Sequence, residues 1–185
     1  DAELARSAEL REFLIEPARA LGLSGAIYGV RYPPDALQAI AASGLAYCGW
    51  LPNHRAPQAF ARARVTVHVP RAPYTRALRG IPTIRMFEAL ACGIPLVSAP
   101  WFDDEGLFPE GCYLKAETGA AMQRALSDVL GDAALRSSLI ASGRRAIAAR
   151  HTCAHRAAEL LAIVARLPPP RRLALRPLPP ERIAL

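Results

Sequence analysis

Short apolar runs of strand length alternate with helical segments along most of this chain, and this alternation restricts the fold more than any other feature of the sequence. The predicted strands are 24–30, 46–51, 65–70 and 94–99, with an edge strand at 112–115, and the helices predicted between them are 35–43, 56–64 and 83–92. Consecutive parallel strands need a crossover connection, which is usually a helix. The sequence therefore predicts an α/β fold, a three-layer αβα Rossmann-like domain with a doubly wound parallel sheet.

Further helices are predicted on both sides of this alternation. Apolar residues recur at helical spacing in 2–21, 119–130, 133–150 and 152–167. Residues 168–185 are rich in proline, which lacks a backbone donor and fixes φ, so this segment is predicted to be an extended tail. The expected organisation is one domain over 1–167, shortened at its N-terminus, followed by the tail over 168–185.

The net charge of +7 comes almost entirely from arginine, since Lys115 is the single lysine. The guanidinium group suits diphosphates and other anions, but an arginine-rich composition by itself identifies no partner. Nucleic acid is a minor alternative, because the basic helical residues lack the interleaved aromatic side chains of single-strand binders.

Four cysteines without a C-x-x-C pair are expected to be reduced. His151, Cys153 and His155 lack an evident fourth ligand, so no metal site is predicted. With no apolar run near the roughly 20 residues that span a bilayer, and no leader segment, we expect a cytoplasmic protein without a membrane span.

The segment from Gly80 to Pro100 has the local signals of a loop, a helix and a buried strand. Pro82 suits the opening of a helix, Thr83 is predicted to cap its first amides, and Gly93 has the position of a C-terminal glycine. In a doubly wound sheet, such a helix begins at the edge where ligands bind, and its free amides attract phosphate oxygens. Thr83 and Ile84 are therefore candidates for holding a diphosphate.

Arg85 and Glu88 are three residues apart on one face of the same predicted helix, while Ile84, Phe87 and Ala91 are assigned to its apolar face. A carboxylate at this position suits a ribose diol, and the arginine suits a leaving diphosphate. The alternative is a simple surface ion pair, and the residue pattern leaves both interpretations open.

The string that starts at Glu88, EALACGIPLVS, resembles the E-A-x-A-x-G-x-P-V-V signature of the C-terminal domain of GT-B glycosyltransferases. The flanking GIPTIR and APW, with HTCAHR at 151–156, look most like the spore-maturation-type branch of that family. The resemblance, which covers roughly residues 21–167, implies a retaining-type transferase that uses a UDP- or GDP-linked sugar as substrate and no further cofactor. It also implies that Glu88 binds the ribose and that Thr83 and Arg85 lie near the diphosphate.

The segment 47–53, YCGWLPN, resembles the strand and loop that lie against the nucleotide base in this family. We expect the loop from Leu51 to His54 to contact the base, and Tyr47 and Trp50 to belong to the core.

Many relatives have an acidic residue where this chain has Gly80, so contact with the sugar is expected from Arg71 and from the backbone of loop 79–83. Asp103, Asp104 and Glu105 follow the 94–99 strand and are interpreted as solvated loop charges. The candidate catalytic residues are Arg85 and Arg71, and the candidate donor-binding residues are Glu88, Thr83, Ile84, Gly80, Pro82, Leu51 and His54.

The resulting prediction is the nucleotide-sugar-binding half of a glycosyltransferase. Its acceptor-binding N-terminal lobe is expected to be missing from this chain, which by itself should bind nucleotide weakly and transfer nothing. The main alternative is a non-catalytic scaffold module on the same fold, which the glycine at position 80 favours. An epimerase of similar architecture is a third alternative, and it would need a complete two-lobed chain.

Overall fold

The computed structural model describes residues 2–72, 75 and 77–168 of the chain. Contacts between residues divide the chain into two compact units, Asp1–Thr152 and Cys153–Leu185. The predicted tail at 168–185 lies outside the described residues except for Pro168, so the boundary at 167 stays a prediction.

The strands in the described part of the first unit are short and parallel. They are β1 (Gly25–Ile27), β2 (Leu45–Tyr47), β3 (Thr66–His68), β4 (Leu96–Ser98) and β5 (Leu114–Lys115). β1 pairs with β2, and β3, β4 and β5 form a second sheet in that order. Each observed strand is shorter than the segment predicted for it. One cause is Gly29 and Gly49, which have positive φ angles at the ends of β1 and β2.

The α-helices of the first unit are α1 (Ala2–Leu10), α2 (Glu16–Ala20), α3 (Pro34–Ala41), α4 (Ala56–Phe60), α5 (Ile84–Cys92), α6 (Gly119–Gly131) and α7 (Ala133–Arg150). A π-helical segment, Arg11–Ile15, joins α1 to α2, so the predicted first helix is not a continuous α-helix. A 3₁₀ turn, Asn53–Arg55, precedes α4. The described helix of the second unit is α8 (Cys153–Val164), which contains an ion pair between Arg156 and Glu159.

Helix α3 is the crossover connection between the parallel strands β1 and β2, and α5 is the crossover between β3 and β4. β4 is fully buried, and its consecutive side chains point to opposite faces of the sheet. Leu96 belongs to a core cluster with Met86 and Leu90 of α5, whereas Val97 belongs to another with Met122 of α6. Helices therefore cover both faces of the sheet, which confirms the predicted α/β Rossmann-like fold.

The buried face of α5 differs from the predicted one. Met86, Ala89 and Leu90 are buried, whereas Ile84 and Ala91 are exposed. The assignment of Ile84 and Ala91 to the apolar face is wrong, because the sheet lies against the side of the helix centred on Met86 and Leu90. Ile84 is thereby left on the surface at the start of the helix.

Among the described residues, no helix combines the length and the apolar character that crossing a bilayer requires.

Candidate functional site

The N-terminus of α5 is open to a ligand in the structure. Thr83 is the N-cap residue with extended backbone angles, as predicted, but its side chain accepts no hydrogen bond from the helix amides. The prediction that Thr83 caps the helix through its side chain is therefore wrong. The amide of Met86 donates to the Thr83 carbonyl at 3.2 Å, while helix geometry provides no intrahelical acceptor for the amides of Ile84 and Arg85. Unpaired amides and the positive end of a helix dipole are the groups that bind anions at helix starts.

The Thr83 hydroxyl is bonded to a buried histidine instead. His68, the last residue of β3, places Nε2 2.8 Å from Thr83 Oγ1 and Nδ1 2.9 Å from the Oγ of Ser98, its register partner on β4. Burial, reinforced by the positive charge of Arg6, lowers the pKa of His68 from 6.5 to about 4. His68 is therefore a neutral imidazole at physiological pH.

Sequence reasoning did not single out His68 or Ser98. A histidine in the apolar run 65–70 was the available signal, because a polar side chain in a buried strand needs a hydrogen-bonding partner.

Arg85 and Glu88 form an ion pair on the exposed side of α5. The arginine side chain is 54% exposed and the glutamate side chain 17%, so the carboxylate is the more fixed member of the pair. An i,i+3 pair on a helix surface contributes only about 0.3–0.5 kcal/mol, and the exposed arginine is the member that can move away. Both side chains are therefore available to a ligand that approaches the first turn of α5.

Gly80 lies where the loop before α5 meets the loop after β4. It has a φ of 79°, and a Cβ atom at this position would lie 3.5 Å from Cβ and 3.7 Å from Oδ2 of Asp104. Arg79 links the two loops, because its Nε is 3.8 Å from Asp104 Oδ2 and its Cζ is 3.8 Å from the centre of the Phe102 ring. The Asp104 carboxylate thus faces the space beside Gly80.

Asp103, next in sequence to Asp104, has a structural role. Its carboxylate accepts hydrogen bonds from the amides of Leu107 and Phe108 at 2.8 and 2.9 Å. The interpretation as a solvated loop charge is therefore wrong for Asp103, because these two amides fix the carboxylate in a turn. Asp104 remains half exposed.

The other candidate residues lie in the connections that leave the strands. Arg71, three residues beyond β3, is exposed, and Pro82 is half-buried beside Thr83. Leu51 is half-buried and His54 exposed, in the connection from β2 to α4. Burial raises the pKa of the Tyr32 phenol, and the positive charge of Arg71 is a smaller effect that lowers it.

Exposed apolar side chains concentrate at one edge. In the described part of the first unit, the large apolar side chains that are exposed follow β1 or β2, precede or open α5, or follow β4: Tyr28, Val30, Tyr47, Trp50, Leu78, Ile81, Ile84 and Phe102. These positions lie at or beyond the carboxyl ends of the parallel strands. The prediction that Tyr47 and Trp50 belong to the core is wrong, because β2 ends at Tyr47 and leaves Trp50 71% exposed in the following loop.

Among the described residues, no three His, Cys, Asp or Glu side chains come together in the manner of a metal site. The α5 region offers backbone amides, the Arg85 guanidinium and the Glu88 carboxylate, groups that suit a phosphorylated ligand with vicinal hydroxyls.

Comparison with known proteins adds a family and a fold. A family model described as "Glycosyl transferase-like" matches residues 6–162. No curated protein sequence matches the chain. A solved structure of Anabaena Alr3699/HepE in complex with UDP-glucose is 15% identical, with a TM-score of 0.67, and the match covers 84% of this chain and 44% of that one. Sucrose-phosphate synthase (tll1590) from Thermosynechococcus elongatus is 17% identical, with a TM-score of 0.67, and the match covers 88% of this chain and 42% of that one. At these identities the likeness establishes the fold, and the chain spans less than half of the length of either structure.

Proposed function

This chain belongs to the glycosyl transferase-like family, and from that premise we propose that it binds a nucleoside-diphosphate sugar as the donor half of a glycosyltransferase. The observation that carries the proposal is the open N-terminus of α5, with Glu88 and Arg85 beside it, at the carboxyl edge of the parallel strands. The fold is shared with the Anabaena structure that holds UDP-glucose, which supports a UDP-linked donor, and GDP is the alternative nucleotide.

In this proposal, the amides of Ile84 and Arg85 hold the diphosphate and the Glu88 carboxylate accepts hydrogen bonds from the ribose diol. Arg85 turns from Glu88 toward the phosphates, which the weak exposed ion pair permits. When the bond between the sugar and the diphosphate breaks, negative charge develops on the leaving group. Arg85, the helix amides and Arg71 stabilise that charge.

The base is placed against the connection that leaves β2. The exposed indole of Trp50 offers a stacking surface, and Leu51 and His54 follow it in the same connection. In this proposal the exposed indole ring stacks on the nucleobase and is covered by it.

The sugar is placed near Gly80, where a missing side chain leaves room beside the Asp104 carboxylate. The acceptor and a second, acceptor-binding lobe are placed opposite the apolar edge that contains Trp50, Ile81 and Phe102. Exposed apolar groups that are concentrated at one edge are typical of a surface that another part of a protein covers. The similar solved structures, which are more than twice as long as the matched region, support this arrangement.

We further propose that the chain belongs to the spore-maturation-type branch, transfers a hexose and works in the cytoplasm. The motif at 80–100 and the HTCAHR string at 151–156 support the branch.

Thermal shift measurements with UDP, GDP and their sugars test the proposal. A nucleotide that binds only the folded protein raises its melting temperature. We expect such a rise for the wild type and its loss in Glu88→Ala. Glu159→Ala is the matched control, because Glu159 is also the carboxylate of an exposed i,i+3 arginine pair, on α8, and this variant should respond like the wild type.

A flat response of the wild type to every nucleotide would contradict the donor-binding function and favour the scaffold module. Gly80 supports this second function, because the family resemblance implies an acidic side chain at this position and the chain has a glycine there.

A further inference from the structure

His68, Ser98 and Thr83 form a continuous chain of hydrogen bonds that ends at the start of α5. Ser98 is completely buried and His68 is 6% exposed, while Thr83 is half-buried and lies next to the open helix amides. Both ring nitrogens of His68 have hydroxyl partners at hydrogen-bonding distance, so the imidazole is held on both sides. A change in which nitrogen carries the proton is therefore transmitted directly to Thr83.

The distances around Ser98 are compatible with one direction of this chain. Ser98 Oγ lies 2.8 Å from the Ala99 carbonyl oxygen and 2.9 Å from Nδ1 of His68, and a Ser98 hydroxyl that donates to that carbonyl accepts from a ring proton on Nδ1. A neutral imidazole with a proton on Nδ1 has a lone pair on Nε2, which accepts the Thr83 hydroxyl proton. Thr83 Oγ1 consequently presents only lone pairs to its other neighbours.

This direction of the chain opposes anion binding. A phosphate oxygen is a hydrogen-bond acceptor, and a hydroxyl that already donates its one proton to His68 cannot donate a second hydrogen bond to the phosphate. The unpaired amides of α5 can donate hydrogen bonds to a phosphate group, whereas the lone pairs of the adjacent Thr83 Oγ1 repel its oxygens.

We propose that diphosphate binding reverses the Ser98–His68–Thr83 chain, so that Ser98 donates to Nδ1, Nε2–H donates to Thr83, and Thr83 donates to a phosphate oxygen. The inference rests on the proposed donor-binding function and makes His68 a positioning residue, since it acts on the ligand through Thr83. The Ser98 and Thr83 hydroxyls rotate, one proton leaves Nδ1 for water and one reaches Nε2 from water, so the protein gains no net proton.

The energetics favour reversal only when the anion is present. The chain loses the neutral hydrogen bond from Ser98 to Ala99 and gains one from Thr83 to a charged phosphate, and charge-assisted bonds are about twice as strong as neutral ones. The ligand thus has different affinities for the two tautomeric forms, which is the condition for shifting their populations.

Nitrogen NMR of the protein labelled with ¹⁵N-histidine tests the inference, because protonated and unprotonated ring nitrogens have well-separated shifts. The chain has four histidines, and the signals that disappear in His68→Phe identify His68. If that variant does not fold, replacing His54, His151 and His155 by glutamine one at a time identifies His68 by elimination. We expect the Nδ1–H form in the free protein and the Nε2–H form with saturating UDP or GDP.

Binding of UDP or GDP without a change of tautomer would overturn this inference and leave the donor-binding function intact. Failure of both nucleotides to bind would overturn both. An Nε2–H form already present in the free protein would also overturn the inference, because there would be no direction to reverse.

Affinities measured by calorimetry provide a second test. Thr83→Val keeps the shape of the side chain and removes the hydroxyl, and it should weaken nucleotide binding about tenfold. Any effect of His68→Phe on affinity should vanish in the Thr83→Val background, because His68 acts on the ligand through the Thr83 hydroxyl. Thr83→Ser should retain the wild-type affinity. Additive losses in the double variant would indicate a structural role for His68 and contradict the coupling.

Discussion

Replacing Glu88 by alanine separates nucleotide recognition from stability. Glu88 is the carboxylate of α5, and its partner Arg85 is more than half exposed and remains solvated when the carboxylate is gone. Loss of an exposed i,i+3 pair costs about 0.5 kcal/mol or less, which for a domain of this size lowers the melting temperature by roughly 1–2 °C. The free variant should therefore unfold nearly as the wild type does.

The effect of Glu88→Ala on binding should be much larger. A hydrogen bond to a charged group contributes about 1.5–3 kcal/mol, which corresponds to roughly 10–100-fold in affinity. If Glu88 accepts the ribose 2′-hydroxyl, UDP should bind the wild type at least about tenfold more tightly than 2′-deoxy-UDP. In Glu88→Ala the two ligands should bind with nearly equal, weaker affinity.

The affinities of UDP and 2′-deoxy-UDP for the wild type and for Glu88→Ala are to be measured by titration calorimetry. GDP and 2′-deoxy-GDP are used instead if the protein responds to guanine nucleotides. Glu159→Ala controls for the loss of an exposed ion pair and should preserve the preference for the ribonucleotide. A Glu88→Ala variant that still distinguishes the two sugars as the wild type does would refute the assignment of Glu88 to the ribose.

Three further results are expected. Trp50→Ala should weaken nucleotide binding by about tenfold, as stacking contributes roughly 1–3 kcal/mol, and Trp50→Phe should restore most of it in the same calorimetric assay. Gly93→Ala should lower the free energy of unfolding in urea by about 1–2 kcal/mol, because Gly93 has a φ of 71° and the new Cβ would lie 2.3 Å from Nε of Arg144. Gly131→Ala, which has no atom within 4 Å of the new Cβ, should be neutral or stabilising. The folded-state pKa of His68 is depressed, so its contribution to stability is present above the unfolded pKa of 6.5 and is lost as the pH falls toward about 4. Urea unfolding should record this loss, on the order of 3 kcal/mol, and His68→Phe should flatten the profile.

The sequence was sufficient to predict the order and direction of the strands, because the signals involved are local. Apolar runs, the predicted helices between them and the C-terminal glycine Gly93 each act over a few residues, and Gly93 indeed ends α5 with a left-handed backbone. The division into two sheets was not predicted, since pairing between strands depends on contacts far apart in the sequence.

Local patterns could not predict the partner of Thr83. Its position before an apolar helix correctly indicated an N-cap residue, but its partner His68 lies 15 residues earlier in the sequence, and His68 is itself 30 residues from Ser98. The exposure of Trp50 was missed for a related reason. An aromatic residue within a predicted apolar strand is usually buried, but β2 ends at Tyr47 and Trp50 lies in the loop after it.

The N-cap side chains of α5, α6 and α7 differ in what they bind. Thr118 caps α6 by accepting from the amide of Ala121, and Asp132 caps α7 by accepting from the amides of Ala134 and Leu135. Thr83 occupies the same position on α5 with a side chain capable of the same bond, which is worth about 1 kcal/mol, yet its hydroxyl is turned to a buried histidine.

A stabilising interaction that is available but not made is expected where a site must remain open. The uncapped start of α5 lacks a stabilising hydrogen bond, and the exposed apolar side chains around it lack burial. Because these features coincide at the carboxyl edge of the parallel strands, where Rossmann-like folds bind ligands, one cause explains them better than separate accidents of packing. An anionic ligand with a large apolar or aromatic part would be such a cause, and the nucleoside-diphosphate sugar that we propose has both features.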